Sequence, residues 1–364
     1  ILRPNAKPLI INGDMAVAQR GTSFATMGNG DSQYTLDRFQ WSEEGGFGDA
    51  ELTITQDADV PTGQGFAKSL KAVCTTLDAS IDSNTISYIT QKFEGQDLQL
   101  LKKGTANAEK LTLSFWAKSN LTGTFTIAFK DTDNSRLYST SYSPASADTW
   151  EKFIVNIPAD TTGAFTDDNA TSLVVDWNLQ AGTDKSDGAL TAAWEAQAEG
   201  DRAVGQTNFF SSTSNVFYIT GIQLEVGEYT SSTIPPFQHE SYGDNLLRCQ
   251  RYFVQFGRNQ GVADQGDYGL GITNNDDEGC HILIPLPTTM RTASSTITQS
   301  GTASDYAVRT VSTDASTGVP VFADATTSNI LVKFVNNGHG FGTGVVVRGM
   351  TNSSDSFIGV SAEL

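Results

Sequence analysis

The sequence has few cysteines and histidines, and this scarcity excludes several classes of protein. Its 364 residues include three cysteines, Cys74, Cys249 and Cys280, without any paired CxxC spacing. A disulfide framework or a zinc site is therefore not indicated, and the cysteines are predicted to be small buried residues. No apolar run approaches the roughly 18 residues of a membrane span, and the N-terminus does not resemble a signal peptide.

Familiar catalytic motifs are missing as well. The sequence contains no GxSxG, HExxH or GxxxxGK[ST] pattern, and its three histidines are isolated from one another. Pairs of carboxylates such as Asp167 and Asp168 lie in turn clusters, where aspartate is expected for conformational reasons. The sequence therefore predicts that the protein is not an enzyme.

Charged residues are sparse and mostly acidic. They make up 18% of the chain, below the roughly 25% of ordinary soluble proteins. The 23 lysines and arginines face 41 aspartates and glutamates, for a net charge of −18. Because binding to nucleic acid or to anionic lipid relies on clustered lysine and arginine, neither a nucleic acid nor a membrane is predicted as a partner.

What the sequence does contain is typical of β-structure. Short runs alternate apolar and polar residues at 111–117, 124–129, 152–157, 172–177 and 215–226, and turn-forming Gly, Asn, Asp and Ser separate them. The Asn-Leu-Thr-Gly turn predicts that the first two runs pair. Several short strands spaced by turns favour an all-β, antiparallel sandwich.

The chain is predicted to have three parts: a sandwich domain at 1–238, a connecting helix within 239–254, and a small β domain at 255–364. The predicted helix runs from Tyr242 to Phe253 and is capped by Asp244. Within the first domain, residues 180–214 form an unusually long excursion, with a short helix expected at 189–198. The last domain has few large apolar residues, and thin cores of this kind are often completed by oligomerisation.

Three separated motifs are similar to those of bacteriophage tail-fibre and virion structural proteins. The motifs are LIINGDMAVAQRGTS at 9–23 with YTLDR at 34–38, FYITGIQLEVGEY at 217–229 with PFQHESYG at 236–243 and LRCQRYF at 247–253, and IPLPTTMRTA at 284–293. They follow the order found in that family and span almost the whole chain. Phe39 departs from the pattern, because the family usually carries Trp after Asp-Arg.

The resemblance implies a jelly-roll-like N-terminal domain similar to carbohydrate-binding modules. It also implies a homotrimer on the exterior of a phage particle, in contact with other virion proteins of the tail or capsid. The function it implies first is that of a tail fibre or receptor-binding protein contacting host-surface glycans. A head fibre or capsid decoration protein is the alternative, because the long N-terminal anchor of many tail fibres is not in this sequence. A glycan-degrading tailspike enzyme is the second alternative.

Glycan binding requires exposed aromatic rings that stack on sugars, beside polar groups for the hydroxyls. The candidates are Trp194 in the long excursion, Trp41, and Tyr268 in a Gly-Asp-Tyr-Gly loop. Trp116 and Trp177 are predicted to be core residues because they lie in strands beside apolar neighbours.

No cofactor is expected, with a structural Ca²⁺ ion as the one exception. Asp131 and Asp133 place carboxylate oxygens at alternating positions of a turn, as Ca²⁺ sites do. The Gly and Glu that would complete an EF-hand loop do not follow.

Overall fold

The structure is a computed structural model and describes residues 7–28, 30, 32–46, 48–78, 80–257, 266–274, 279–310, 314–316, 318–335 and 341–364. The chain divides into two units. One unit extends to Asn245 and includes Leu364, and the other runs from Leu246 to Glu363.

The first unit is built from thirteen strands in its described residues. They are β1 (Ser23–Met27), β2 (Ser32–Tyr34), β3 (Gln40–Glu44), β4 (Glu51–Asp57), β5 (Ser69–Thr76), β6 (Ile86–Glu94), β7 (Leu111–Ser119), β8 (Phe125–Asp131), β9 (Arg136–Tyr142), β10 (Glu151–Ile157), β11 (Thr171–Ala181), β12 (Glu195–Ala196) and β13 (Val216–Val226). Sheet A has the order β1-β4-β5-β13-β7-β10, and sheet B has the order β12-β9-β8-β11-β6-β3-β2.

The two sheets enclose one apolar core. Phe115 and Leu113 of sheet A belong to the same buried cluster as Phe129, Val175 and Trp177 of sheet B. Period-two alternation on each strand directs these side chains inward and sends the intervening residues outward. The all-β sandwich prediction is confirmed, and Trp177 is a core residue as predicted.

The predicted pairing of the runs at 111–117 and 124–129 is wrong. β7 pairs with β10 and β13 in sheet A, whereas β8 pairs with β9 and β11 in sheet B. The short turn between them therefore carries the chain from one sheet to the other, as connections in jelly rolls do.

The second unit contains ten strands in its described residues. They are β14 (Phe253–Phe256), β15 (Asp267–Thr273), β16 (Cys280–Pro285), β17 (Ile297–Gln299), β18 (Tyr306–Arg309), β19 (Asp314–Ser316), β20 (Val321–Ala325), β21 (Asn329–Phe334), β22 (Val346–Thr351) and β23 (Ile358–Ser361). Sheet C has the order β14-β23-β17, and sheet D has the order β19-β18-β22-β15-β16-β21-β20. Val360 of sheet C and Phe334 of sheet D share its buried core.

One α-helix, α1 (Tyr242–Gln250), is present in the described residues. It ends three residues earlier than predicted, and Ser241 rather than Asp244 caps it. The Ser241 hydroxyl accepts a hydrogen bond from the Asp244 backbone N–H at 3.1 Å and donates one to the Asp244 carboxylate at 2.6 Å. No helix among the described residues is long and apolar enough to span a membrane.

The helix predicted at 189–198 is not formed. That segment is irregular and contains β12, which pairs with β9 at the edge of sheet B. Short 3₁₀ turns occur at Gly95–Asp97, Gln99–Leu101, Thr183–Lys185, Glu199–Asp201, Phe209–Ser211 and Ala303–Asp305.

Candidate functional site

Two of the three aromatic residues predicted to bind glycan are buried. Trp41 has 0% of its surface exposed, and its ring packs 6.1 Å from that of Phe210 in the core. Tyr268 is 5% exposed, and its hydroxyl lies 2.5 Å from the Ser356 Oγ. Burial raises the pKa of Tyr268 above its usual range. Neither ring offers a face to a sugar, so both predictions are corrected.

Trp194, the third candidate, is half-buried on the long excursion. Its indole N–H donates to the Pro158 carbonyl at 2.9 Å, and the Lys103 ammonium lies 5.6 Å from its ring centre. The cavity beside it has a volume of about 20 Å³, enough for roughly one water molecule. Trp194 therefore anchors the excursion and lines no space for a sugar ring.

The aspartates predicted to bind Ca²⁺ have other partners. Asp131 is fully buried, and its Oδ2 lies 2.5 Å from the Lys103 ammonium, which also contacts Asp160 at 2.9 Å and two backbone carbonyls. Asp133 turns away and accepts from the Thr166 backbone N–H. An ammonium group thus fills the oxygen-lined position at this hairpin. No group of three or more acidic, cysteine or histidine side chains suited to a metal occurs in the described part of the chain.

The outer face of sheet B is polar and is covered by the chain itself. The covering segment, residues 182–208, is here called the arm. Gln206 of the arm accepts hydrogen bonds from the backbone and side chain of Thr126, both at 2.8 Å. Thr191 exchanges hydrogen bonds with Ser139. The arm therefore lies across β8 and β9 and closes that part of the face.

A network of charged residues binds the arm to β3 and β11. Arg202 is 2% exposed and contacts Glu44 at 2.8 Å and Glu199 at 2.9 Å, while its second amino group lies 3.8 Å from Asp176. Burial alone would raise the pKa of Glu44, but the hydrogen bond and charge of Arg202 outweigh it and lower that pKa to about 2. Lys130 neutralises the buried Asp176 at 2.7 Å. These charged groups on the outer face of sheet B therefore pair with one another.

Some buried acceptor oxygens of sheet B lack donors among the described residues. Asn178 Oδ1, Gln180 Oε1 and Gln40 Oε1 are buried and have no hydrogen-bond partner among the described residues. Buried acceptors of this kind are ordinarily satisfied by ordered water.

The outer face of sheet A is different, because it presents aromatic rings and lysines. On β7 the inward residues are Leu113, Phe115 and Ala117, so Trp116 and Lys118 project outward. Their register partners extend the surface: Lys118 lies opposite Tyr218, and Trp116 lies opposite Lys152. The resulting surface is here called the Trp–Lys face, and its members are Lys71, Trp116, Lys118, Trp150, Lys152 and Tyr218.

One row of the Trp–Lys face alternates cations and rings. The Lys118 ammonium lies 4.3 Å from the ring centre of Tyr218 and 5.5 Å from that of Trp150, and Lys71 lies 5.3 Å from Tyr218. The rings of Trp150 and Tyr218 are 5.9 Å apart in an edge-to-face arrangement. These cation–π contacts fix the rings in place before any ligand arrives.

Asp59 closes the row from the loop between β4 and β5. The Trp150 indole N–H donates to its carboxylate at 2.9 Å, and Lys118 forms an ion pair with it. Burial alone would raise the pKa of Asp59, but the hydrogen bonds from Lys118 and Trp150 outweigh it and lower that pKa. At the next position of the face, Lys71 pairs with Asp57 at 3.3 Å.

Gly221 allows the rings of Phe66 and Trp116 to pack against β13. It has φ 61° and lies at a break in the pairing of β13 with β7, where the strand forms a bulge. A Cβ atom there would lie 2.6 Å from Phe66 and 3.1 Å from Trp116. Trp116 and Trp150 are half-buried, so part of each ring is accessible to solvent.

The Trp–Lys face was not predicted from the sequence. Trp116 was predicted to be a core residue, but along β7 it shares a face with Thr112, Ser114 and Lys118. That polar pattern indicates that Trp116 lies on the outer side of the sheet. The link between Trp150 and Asp59 joins residues 91 positions apart and leaves no local signal.

No protein-family model matches the chain, and no curated protein matches it either. Among solved structures, it is similar to the enzymatically active domain of tailspike protein 4 of bacteriophage CBA120, at 13% identity and a TM-score of 0.32, over 60% of this chain and 21% of that one. It is also similar to two carbohydrate-binding modules of Clostridium thermocellum. One is the family 11 module of Lic26A-Cel5E, at 10% identity and a TM-score of 0.28, over 57% of this chain and 96% of that one. The other is the C-terminal family 22 module of Xyn10B, at 11% identity and a TM-score of 0.25, over 57% of this chain and 98% of that one. Likenesses this distant carry no argument about the function of this chain, which depends on the geometry above.

Proposed function

We propose that this chain is a non-catalytic, glycan-binding structural protein of a bacteriophage particle, and that the Trp–Lys face binds the glycan. The observation that carries the binding proposal is the half-buried pair Trp116 and Trp150 on a rigid sheet, flanked by lysines and aspartates. Aromatic rings stack on the apolar faces of sugars, and charged groups at their edges bind hydroxyls. By contrast, the polar face of sheet B is closed by the arm.

The place in a phage particle is supported by the ordered motifs at 9–38, 217–253 and 284–293. Within the particle we propose a tail fibre or receptor-binding role first. A head fibre or capsid decoration protein is the alternative, and labelled antibody in electron micrographs would distinguish tail from capsid.

Self-association is proposed through the outward side of sheet D. Leu270, Ile272, Leu283 and Val346 are 61%, 55%, 50% and 65% exposed. They are neighbours, because Leu270 lies opposite Leu283 and Ile272 lies opposite Val346. Contiguous exposed apolar residues mark protein interfaces, so this face supports the homotrimer.

The binding proposal is tested on a glycan array with the wild-type chain, Trp150→Ala and Trp116→Ala. Loss of a stacking ring should weaken binding by roughly tenfold, which corresponds to about 1.4 kcal/mol. Trp194→Ala is the matched control and should bind like wild type. If Trp194→Ala loses binding and Trp150→Ala keeps it, the assignment of the face is wrong. Release of reducing ends from a bound polysaccharide would contradict the non-catalytic role.

The oligomer is tested by light scattering. Wild type should have three times the mass of one chain, and Leu270→Asp with Ile272→Asp should reduce it to a single chain. Leu100→Asp, an equally exposed leucine of the first unit, should leave the trimer intact. A monomeric wild type would contradict the trimer, and a trimeric double variant would contradict the choice of face.

A further inference from the structure

We propose that the glycan bound by the Trp–Lys face is acidic, a polysaccharide whose sugar units carry carboxylate groups. This inference rests on the proposed function and specifies its ligand. The first observation is one of charge: in a chain with a net charge of −18, three lysines, Lys71, Lys118 and Lys152, lie on this one face. Asp57 and Asp59 neutralise the first two, so the face keeps the positive charge of Lys152.

The second observation is a carboxylate already bound on the face. Asp59 is held by the indole N–H of Trp150 at 2.9 Å and by the ammonium of Lys118. A fixed ring, an N–H donor and a cation thus form a receptor for a carboxylate beside a stacking surface. Asp59 fills this receptor, with its side chain 42% exposed and that of Lys118 12% exposed, and it shows the geometry in which the face holds a carboxylate.

The third observation is an available cation. Lys152 is exposed, and no carboxylate among the described residues pairs with it. It lies directly opposite Trp116 in the pairing of β10 with β7. Directly opposed residues of antiparallel strands have Cβ atoms roughly 4.5–5.5 Å apart. A sugar stacked on Trp116 therefore has the Lys152 ammonium within reach of a carboxylate on its ring.

The positions of the two tryptophans suit an extended chain. Trp150 precedes Glu151, the partner of Ala117, so the two indoles are close to diagonal neighbours across β7 and β10. Diagonal neighbours lie roughly 7–8 Å apart. An acidic unit stacked on Trp116 would meet Lys152, and the next unit of the chain would meet the ring of Trp150.

The experiment measures binding to polygalacturonate, alginate and hyaluronan, each beside its methyl ester. Esterification removes the charge and keeps the sugar backbone. Wild type should bind at least one acid form roughly tenfold more tightly than its ester. Raising NaCl from about 50 to about 500 mM should weaken the acid form and leave the ester unchanged.

Variants connect the preference to the face. Lys152→Gln should reduce the ratio of acid to ester binding by roughly threefold, and Lys152→Glu should reduce it further. Lys102→Gln, an exposed lysine paired with Glu109 outside the face, should preserve the ratio. Unfolding midpoints equal to wild type would show that each variant is folded.

The outcomes separate the two proposals. If the esters bind as tightly as the acids and Trp150→Ala abolishes both, glycan binding stands and the acidic ligand is wrong. If no acid or ester binds and the wider glycan array is also blank, the proposed function itself fails. If an acid form is preferred but Lys152→Glu leaves the preference unchanged, the carboxylate is bound elsewhere and the inference is overturned.

Discussion

The two outer faces of the sandwich use polar chemistry in opposite ways. On sheet B, Arg202, Glu44 and Asp176 are directed at one another beneath the arm, so their charges are neutralised within the chain. On sheet A, Trp116 and Trp150 are half-buried and partly accessible, and Lys152 has no partner carboxylate among the described residues. Both sheets pack against one core, so the fold alone does not decide which outer face binds a ligand.

The difference lies in what covers each sheet. The arm spans 27 residues and reaches across β8 and β9, whereas the strands of sheet A are contacted by Asp59, Phe66 and Lys68 of the loop between β4 and β5 and by Pro235. A buried polar network that satisfies itself stabilises a fold and leaves little for a partner. A fixed aromatic surface with an open edge retains that capacity.

Removing Arg202 should have the largest effect on stability. Arg202→Ala leaves Glu44 and Glu199 with Lys185 as their remaining cation, and it removes one neighbour of the buried Asp176. We expect a loss of about 3 kcal/mol, at the lower end for a broken buried pair because the two glutamates are partly exposed. Urea unfolding of the first unit measures it.

The matched control is Lys110→Ala, since Lys110 and Glu228 form a pair with both side chains more than half exposed. It should cost less than about 1 kcal/mol. Glycan binding by Arg202→Ala should persist where the protein is folded. If that variant loses binding at full stability, the arm side of the sandwich contributes to the site and the contrast between the faces fails.

Gly221→Ala should disturb the open face by a smaller amount. The residue has φ 61°, and the new methyl group would lie 2.6 Å from Phe66. The strained backbone and the displaced ring should together cost about 2 kcal/mol. Binding should also weaken, because Trp116 must shift with Phe66.

Gly63→Ala separates the two causes. Gly63 also has a positive φ, 77°, but no atom lies within 4 Å of its Cβ position. It should lose only the backbone part, about 1 kcal/mol. Equal losses in the two variants would show that Phe66 moves aside without effect, and the packing argument for Trp116 would then be wrong.

Sequence patterns were sufficient for the fold class and insufficient for the faces. Alternation located the strands, and Trp41 could have been assigned to the core from its own pattern, because Phe39 and Trp41 alternate with Gln40 and Ser42. The turn between β7 and β8 looks like a hairpin in sequence, yet it joins two sheets, because chain proximity does not reveal which sheet a strand enters.

The candidate site depended on contacts that no local pattern carries. Asp59 and Trp150, or Arg202 and Glu44, lie 91 and 158 positions apart and meet only because the sheets bring them together. Asp131 shows that a local pattern can also suggest a site that does not form. Its turn resembles the start of a Ca²⁺ loop, but the position of the ion is filled by the ammonium group of Lys103, from a distant segment.

The smallest predicted effect is a pH dependence specific to the closed face. Burial alone would raise the pKa of Glu199, but hydrogen bonds from Lys185, Gln197 and Arg202 lower it to about 2, as Arg202 does for Glu44. A carboxylate with a lowered pKa contributes stability that is complete above its unfolded pKa of about 4.3 and is lost as the pH falls through the folded value. The loss should therefore develop between about pH 4.5 and about pH 2 and amount to about 1 kcal/mol per glutamate after allowance for exposure. Because Arg202 contributes to both shifts while Lys185 still contacts both glutamates, Arg202→Ala should flatten part of this curve relative to wild type in urea titrations at several pH values. Parallel curves would mean that the arm is held by its uncharged contacts, those of Gln206 and Thr191, and that the ion pairs are incidental to its closure.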